Sequence, residues 1–260
     1  MALDDGYVNA EYLKRVAERA RSLKQLSYER MAIKPGDIVL DAGCGPGVDL
    51  MALAERVGDD GKVIGIDSDN AMLDEAQRAV QQSTLAERIY YRLGSALALP
   101  LGDASVDSSR AERLLQVLPV EAERGVISEL IRVTRPGGRI VLVDADWGSA
   151  SVDFSDAELE RRLMNFFATQ MRPNGFAGRR IYALCHELAL EDITLDIIPY
   201  IHLRFDETPF QDWLIDTALK VSVISRCEAS AWRDELMERD ADGRFVATVN
   251  IVIVSGRVPL

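Results

Sequence analysis

Two hydrophobic periods alternate along the first part of this chain. Short apolar runs predict strands over 38–41, 62–67, 89–93, 106–111 and 139–144. The run at 106–111 is unusually polar for a strand. Between them, apolar residues recur at helical spacing, as with Met72, Leu73, Ala76 and Val80. Helices are predicted over 49–56, 70–82 and 121–134. Pro35-Gly36 and Pro136-Gly137-Gly138 read as turns. Strands alternating with helices through short turns predict a parallel sheet covered on both faces. Upstream, residues 8–31 are amphipathic, with Leu13, Val16, Ala17, Ala20, Leu23 and Leu26 on one face.

After residue 146 the pattern changes. Helices are predicted over 155–171, 179–190, 209–225 and 229–238, and strands over 193–203 and 244–254. The expected architecture is α/β: a seven-stranded, Rossmann-like doubly wound sheet, mostly parallel with an antiparallel last strand. N-terminal helices and a helical cap complete it. The expectation is one domain over 1–260. Residues 1–34 form a helical lid or packing element, and 35–146 form the ligand-binding core. Cap helices lie in 147–192 and 204–240, and 193–203 and 244–254 are the closing strands.

The most specific stretch is IVLDAGCGPGVD, from Ile38 to Asp49. Gly43, Gly45 and Gly47 alternate between the first strand and the first helix. Missing Cβ atoms let backbone approach a ligand, and the following helix N-terminus offers free N–H groups. The dinucleotide fingerprint places its last glycine three residues after the second; here the gap is two, which favours a different adenosine-bearing ligand. Asp41, just before the turn, can accept from an ammonium or from loop amides. Asp67 ends the second strand twenty residues after Gly47, where a carboxylate can accept from both ribose hydroxyls. Met72 can cover an adenine face or pack in the core. Gly94-Ser95-Ala96 can read an adenine edge.

Composition narrows the classes. A hydrophobic content of 48% suffices for a core, and no apolar run reaches the ~20 residues that span a bilayer. A net charge of −12 disfavours nucleic-acid partners. The N-terminus does not read as a secretory signal. Cys44, Cys185 and Cys227 have no zinc-binding spacing, so no metal site is expected and a reduced, cytoplasmic setting is the simplest. A homodimer is compatible with all of this.

VLDAGCGPG, GIDSD, GSALALPLGDASVD and VTRPGGRIVLVD resemble the ordered motifs of class I S-adenosylmethionine-dependent methyltransferases, nearest the ubiquinone/menaquinone methyltransferase-like group. The likeness is close over residues 30–146, and weaker motifs extend it to the C-terminus. It implies S-adenosylmethionine as cofactor. Asp41, Gly43, Gly45 and Gly47 would surround its methionine part. Asp67 would take the ribose, with Ser68 and Met72 along the adenosine. Gly94, Ser95, Ala96 and Leu97 would meet the adenine, and the Arg110 carbonyl at the end of strand four would meet the ammonium. Two departures stand out. Ser95 replaces the family's usual aspartate, which predicts weaker cofactor affinity. Val117 replaces a frequent histidine, so no base can be carried over from that position.

Methyl transfer by in-line displacement needs alignment and dryness, and a base only where the nucleophile is protonated. His202, near the end of the sixth strand, and Asp146, after the fifth, are the candidate catalytic residues. His186 reads as surface. Trp147 and Tyr12 are candidate pocket residues, with Tyr7 and Tyr28 beside Tyr12 if the N-terminus is a lid. Glu112, Arg113 and Gln116 read as structural hydrogen-bonders. Phe154, Phe166, Phe167, Phe176 and Trp213 line a pocket or form the cap's own core. The expected activity is methylation of a small molecule at O, N or C, with an aromatic or isoprenoid-derived metabolite as one substrate class. The alternatives are a protein or RNA methyltransferase, or a non-catalytic cofactor-binding subunit.

Overall fold

The computed structural model describes residues 21–260, so Tyr7, Tyr12 and the first part of the amphipathic stretch lie outside the described residues. The described chain opens with helix α1 (Arg21–Arg30). Two strand–helix units and a third strand follow: β1 (Ile38–Ala42) with α2 (Leu50–Val57), β2 (Lys62–Asp67) with α3 (Asn70–Val80), then β3 (Ile89–Leu93). Next come β4 (Val106–Glu112), α4 (Glu123–Val133) and β5 (Thr134–Val152). Helices α5 (Ala157–Gln170) and α6 (Ala177–Glu187) precede β6 (Glu191–His202). Helices α7 (Asp212–Lys220) and α8 (Arg226–Ala241) precede β7 (Ala247–Arg257).

The sheet order is β3-β2-β1-β4-β5-β7-β6. Strands β1 to β5 pair in parallel, and β7 runs antiparallel to both β5 and β6. The last strand is antiparallel, as expected, but it inserts between its neighbours, so β6 rather than β7 ends the sheet on that side. Alternation along each strand divides the core. Val39, Val141, Val143 and Ile253 pack with α1, α2 and α3. Their sequence neighbours Leu40, Ile140, Leu142, Val252 and Val254 pack with α4 and α6 on the other face.

The polar fourth strand is present and central. Ser109 bonds Thr134 at 2.8 Å between the hydroxyl oxygens, and Ser108, Ser109 and Arg110 are all buried. Its polarity reflects buried polar partners rather than a sheet edge. Strand β5 is far longer than the predicted 139–144. The expected turn at Pro136-Gly137-Gly138 is an irregularity inside it, where the β4 register shifts between Val106 and Ser108. Beyond Asp144 the strand continues because Ala145, Trp147, Ala150 and Val152 keep burying alternate side chains.

That extension and β7 carry a second core built with α5, α7 and α8. Phe154, Phe166, Phe167, Phe210 and Trp232 are buried within it. Phe154, Phe166 and Phe167 are therefore the cap's own core, with Phe176 and Trp213 packed against it. Helix α8 starts in a capping box: Ser225 Oγ accepts from Glu228 N, and the Glu228 carboxylate accepts from Ser225 N. The predicted helix over 209–225 shortens to α7.

Candidate active site

The glycine turn joins β1 to α2. Gly43, Gly45 and Gly47 adopt φ of 72°, 52° and 73°, the left-handed region that side chains avoid. A Cβ at Gly47 would lie 2.7 Å from the Ala76 Cβ, so α3 also depends on this glycine. Two amides of the turn bond across to β2: Gly43 N and Cys44 N donate to Ile66 O at 2.7 and 3.0 Å.

Asp67 fastens the turn from the neighbouring strand. Its Oδ2 accepts from Gly45 N at 2.8 Å and its Oδ1 from Asp69 N at 2.9 Å. The carboxylate is half-buried at the strand end, and each oxygen can accept more than the one bond it makes. Ser68 is exposed beside it, and Met72 is half-buried one turn into α3. After β3, Gly94-Ser95-Ala96-Leu97 forms a tight turn in which Ser95 Oγ accepts from Leu97 N at 3.2 Å. A Cβ at Gly94 would strike the Pro100 ring at 2.7 Å, which fixes how closely this turn folds back.

Beneath the corner lies a buried charge cluster. Arg110 is wholly buried, with Nη1 3.2 Å from Asp49 and 3.5 Å from Asp41, and Nη2 against Glu112. The expectation for Arg110 changes here. Strand β4 runs two residues past it, and Arg110 sits mid-strand opposite Asp41 of β1 and Val141 of β5. Its side chain joins the charge cluster beneath the corner. Lys24 of α1 reaches Asp49 at 2.7 and 2.8 Å and Glu112 at 2.8 Å, and the Tyr28 hydroxyl donates to Asp49. Burial pushes the Asp41 carboxyl up to about 6 against the opposing pull of Arg110. Asp49 is equally buried, but Arg110 and Lys24 together outweigh burial and hold it well below the usual carboxylate range. Burial lowers the Lys24 ammonium to about 8.

Next to this cluster a cavity opens at the carboxyl end of β4, against the middle of β5. Val143, Ala145, Trp147, Val249, Ile251 and Tyr200 give it apolar walls, and Leu23 of α1 closes one side. Glu112, Arg113 and His202 supply the polar groups. Open α/β sheets bind ligands at this end. Arg113 takes φ 55°, a costly conformation for a side-chain-bearing residue, at the strand end that lines the cavity.

The structure brings some predicted residues together and separates others. His202 is buried in the cavity wall, its ring 4.9 Å from that of Tyr200. Trp147 lines the cavity and donates from Nε1 to Gln116 Oε1 at 2.6 Å. Asp146 does not join them. Strand alternation turns it to the opposite face of β5, toward α6, where Arg179 Nε donates to it at 2.8 Å. His186 is exposed on α6. Tyr28 is packed and bonded to Asp49. Gln116 is structural, but Glu112 and Arg113 face the cavity. Lys24 and Asp49 escaped the sequence reading. The available signal was the spacing of Lys24 and Tyr28, one turn apart on the inner face of an amphipathic helix.

The donor set fits an adenosine-bearing amino acid: a left-handed glycine turn, a half-buried carboxylate at the next strand end, and a third turn one strand further. A methyltransferase domain family model matches residues 39–138. An uncharacterized 37.1 kDa protein in transposon TN4556 of Streptomyces fradiae is 32% identical over 94% of this chain and 69% of its own length. Demethylmenaquinone methyltransferase of Lactobacillus johnsonii is 34% identical over 45% of this chain and 47% of its own length, so the chain matches about half of that relative. Geranyl diphosphate C-methyltransferase of Streptomyces coelicolor, solved with Mg2+, geranyl diphosphate and S-adenosyl-L-homocysteine, shares the fold with a TM-score of 0.58 at 18% identity, over 99% of this chain and 87% of that one. The chain belongs to the class I S-adenosylmethionine-dependent methyltransferases. It is an enzyme of that class, and its cofactor is S-adenosylmethionine. None of its described helices is long and apolar enough to cross a membrane.

Proposed function

We propose that the protein methylates an O, N or C nucleophile on a small, largely apolar molecule, with aromatic and isoprenoid-derived metabolites as the favoured class. The observation that carries this reading is the cavity. It is apolar-walled and shares Glu112 with the charge cluster beneath the glycine corner, with Glu112 and Arg113 on its β4 side and His202 on its β6 side. The names of the relatives, demethylmenaquinone and geranyl diphosphate methyltransferases, point the same way.

The cofactor, when bound, supplies a methyl group on a sulfonium that leaves as a neutral thioether. In this reading Asp41 with Gly43, Gly45 and Gly47 holds its methionine part. Asp67 accepts from the ribose hydroxyls, flanked by Ser68 and Met72. Gly94, Ser95, Ala96 and Leu97 border the adenine. Arg110 neutralises the carboxylates beneath the corner. Trp147 and the aliphatic residues orient the acceptor and exclude water. His202 takes the proton, through a ring nitrogen, from a nucleophile that carries one.

The test is methyl transfer from labelled S-adenosylmethionine into a cell extract split by size. Label entering the low-mass fraction supports the reading. Label confined to macromolecules rejects it in favour of a protein or RNA substrate.

A further inference from the structure

Helix α1 meets the rest of the molecule through charge as well as packing. Lys24 and Tyr28 both reach Asp49, the residue that follows the glycine turn and stands at the N-cap of α2. An N-cap aspartate ordinarily accepts from the first-turn N–H groups of its helix. Asp49 makes no such bond. Its carboxylate turns instead to α1 and to Arg110, which leaves the α2 N-terminus to a ligand. Lys24 also contacts Glu112, on the cavity wall, and Leu23 beside it lines the same cavity. One ammonium therefore touches the helix that covers the pocket, the cofactor corner and the pocket wall.

The charge balance makes this contact consequential. Among the described residues, Asp41, Asp49 and Glu112 face Arg110 and Lys24 in the buried cluster. Removing Lys24 changes the excess from one negative charge to two, and uncompensated buried charge is strongly unfavourable. When α1 leaves, water or disorder must take the place of Lys24, and Asp49 loses its anchor. A ligand that orders the 43–49 turn fixes Asp49 in place for Lys24. Lys24 likewise fixes it for the ligand, since the second partner meets a turn already ordered.

We propose that Lys24 is a positioning residue that ties the docking of α1 over the pocket to occupation of the glycine corner by the cofactor. This rests on the cavity being the acceptor site. The coupling is reciprocal, so either event strengthens the other.

Amide hydrogen exchange of the full chain, with and without S-adenosylhomocysteine, tests the proposal. In the wild type, saturating ligand slows exchange across residues 21–30 by about tenfold or more. In Lys24→Met that ligand-dependent slowing shrinks below about twofold, while Lys24→Arg, which keeps the charge, restores most of it. Protection of β1 and β4 reports that the variants are folded. Should Lys24→Met fail to fold, Tyr28→Phe, which removes only the hydroxyl bond to Asp49, shows a partial loss of the same coupling. A purely structural Lys24 raises α1 exchange equally with and without ligand, and that result overturns the proposal. So does ligand-induced protection of α1 that is undiminished in Lys24→Met, or in Tyr28→Phe where that variant stands in. No α1 protection in a wild type that binds the ligand also overturns it. The small-molecule reading is judged separately, by the labelling experiment.

Discussion

Replacing Asp67 probes the corner at the point where one side chain serves both fold and cofactor. Its two carboxylate oxygens already accept from Gly45 N at 2.8 Å and Asp69 N at 2.9 Å. Asparagine keeps the shape but turns one acceptor into an amide that can only donate. One of the two loop bonds is lost, and the ribose hydroxyls lose a charged acceptor. A hydrogen bond to a charged group contributes about 1.5–3 kcal/mol. Asp67→Asn should therefore weaken S-adenosylhomocysteine binding by roughly 10- to 150-fold, at about 1.4 kcal/mol per tenfold change. Asp67→Ala, which removes both acceptors, should lose at least as much. Calorimetric titration reads the affinity, and thermal unfolding run in parallel separates loss of fold from loss of ligand. Affinity within twofold of wild type in a folded Asp67→Ala protein would refute the assignment of Asp67.

Other consequences follow from the same geometry. Restoring a carboxylate with Ser95→Asp should tighten S-adenosylhomocysteine binding severalfold, about 1 kcal/mol, by calorimetry; weaker binding would remove Ser95 from the adenine border. With an acceptor that must lose a proton, His202→Asn should lower kcat by roughly 10²–10⁴ while cofactor affinity holds. Loss of affinity without loss of kcat would argue for a packing role instead. Asp146→Asn should leave kcat within about threefold, because its carboxylate is engaged by Arg179 away from the cavity. Burial raises the Asp144 carboxyl from 3.8 to about 7. The folded protein then holds a proton that the unfolded chain releases, so this group's contribution to stability is full below about pH 4 and is lost as pH rises to about 7. Urea unfolding at pH 5 and pH 8 should show a larger loss in wild type than in Asp144→Asn. Equal losses would contradict this.

Much of the fold was legible because local signals agreed with one another. The glycine turn, the acidic end of β2 and the apolar strand cores all point to one doubly wound sheet, whereas the insertion of β7 between β5 and β6 depends on pairings distant in sequence. The length of β5 was hidden by Pro136-Gly137-Gly138, which signals a turn, whereas β4 absorbs it as a register shift. The polar β4 read poorly because the Ser109 hydroxyl and the Arg110 guanidinium meet partners distant in sequence, Thr134, Asp41 and Asp49. The same reason hid the role of Lys24: a lysine on an amphipathic helix reads as solvated until the carboxylates of two other elements surround it. Asp146 and Trp147 were equivalent in sequence, adjacent and at the ligand end of the sheet. Only the side of β5 each faces separates them, and that depends on register. The cap aromatics were ambiguous because apolar residues serve a private core and a ligand wall equally well.

The most direct test of the central claim is a crystal structure of the protein with S-adenosylhomocysteine. The account predicts ribose hydroxyls on Asp67, the amino-acid end over the Gly43–Gly47 turn, and the sulfur facing the cavity lined by Glu112, Trp147 and His202. A ligand seated in the corner with its sulfur directed away from that cavity, or one that leaves Asp67 untouched, would contradict it.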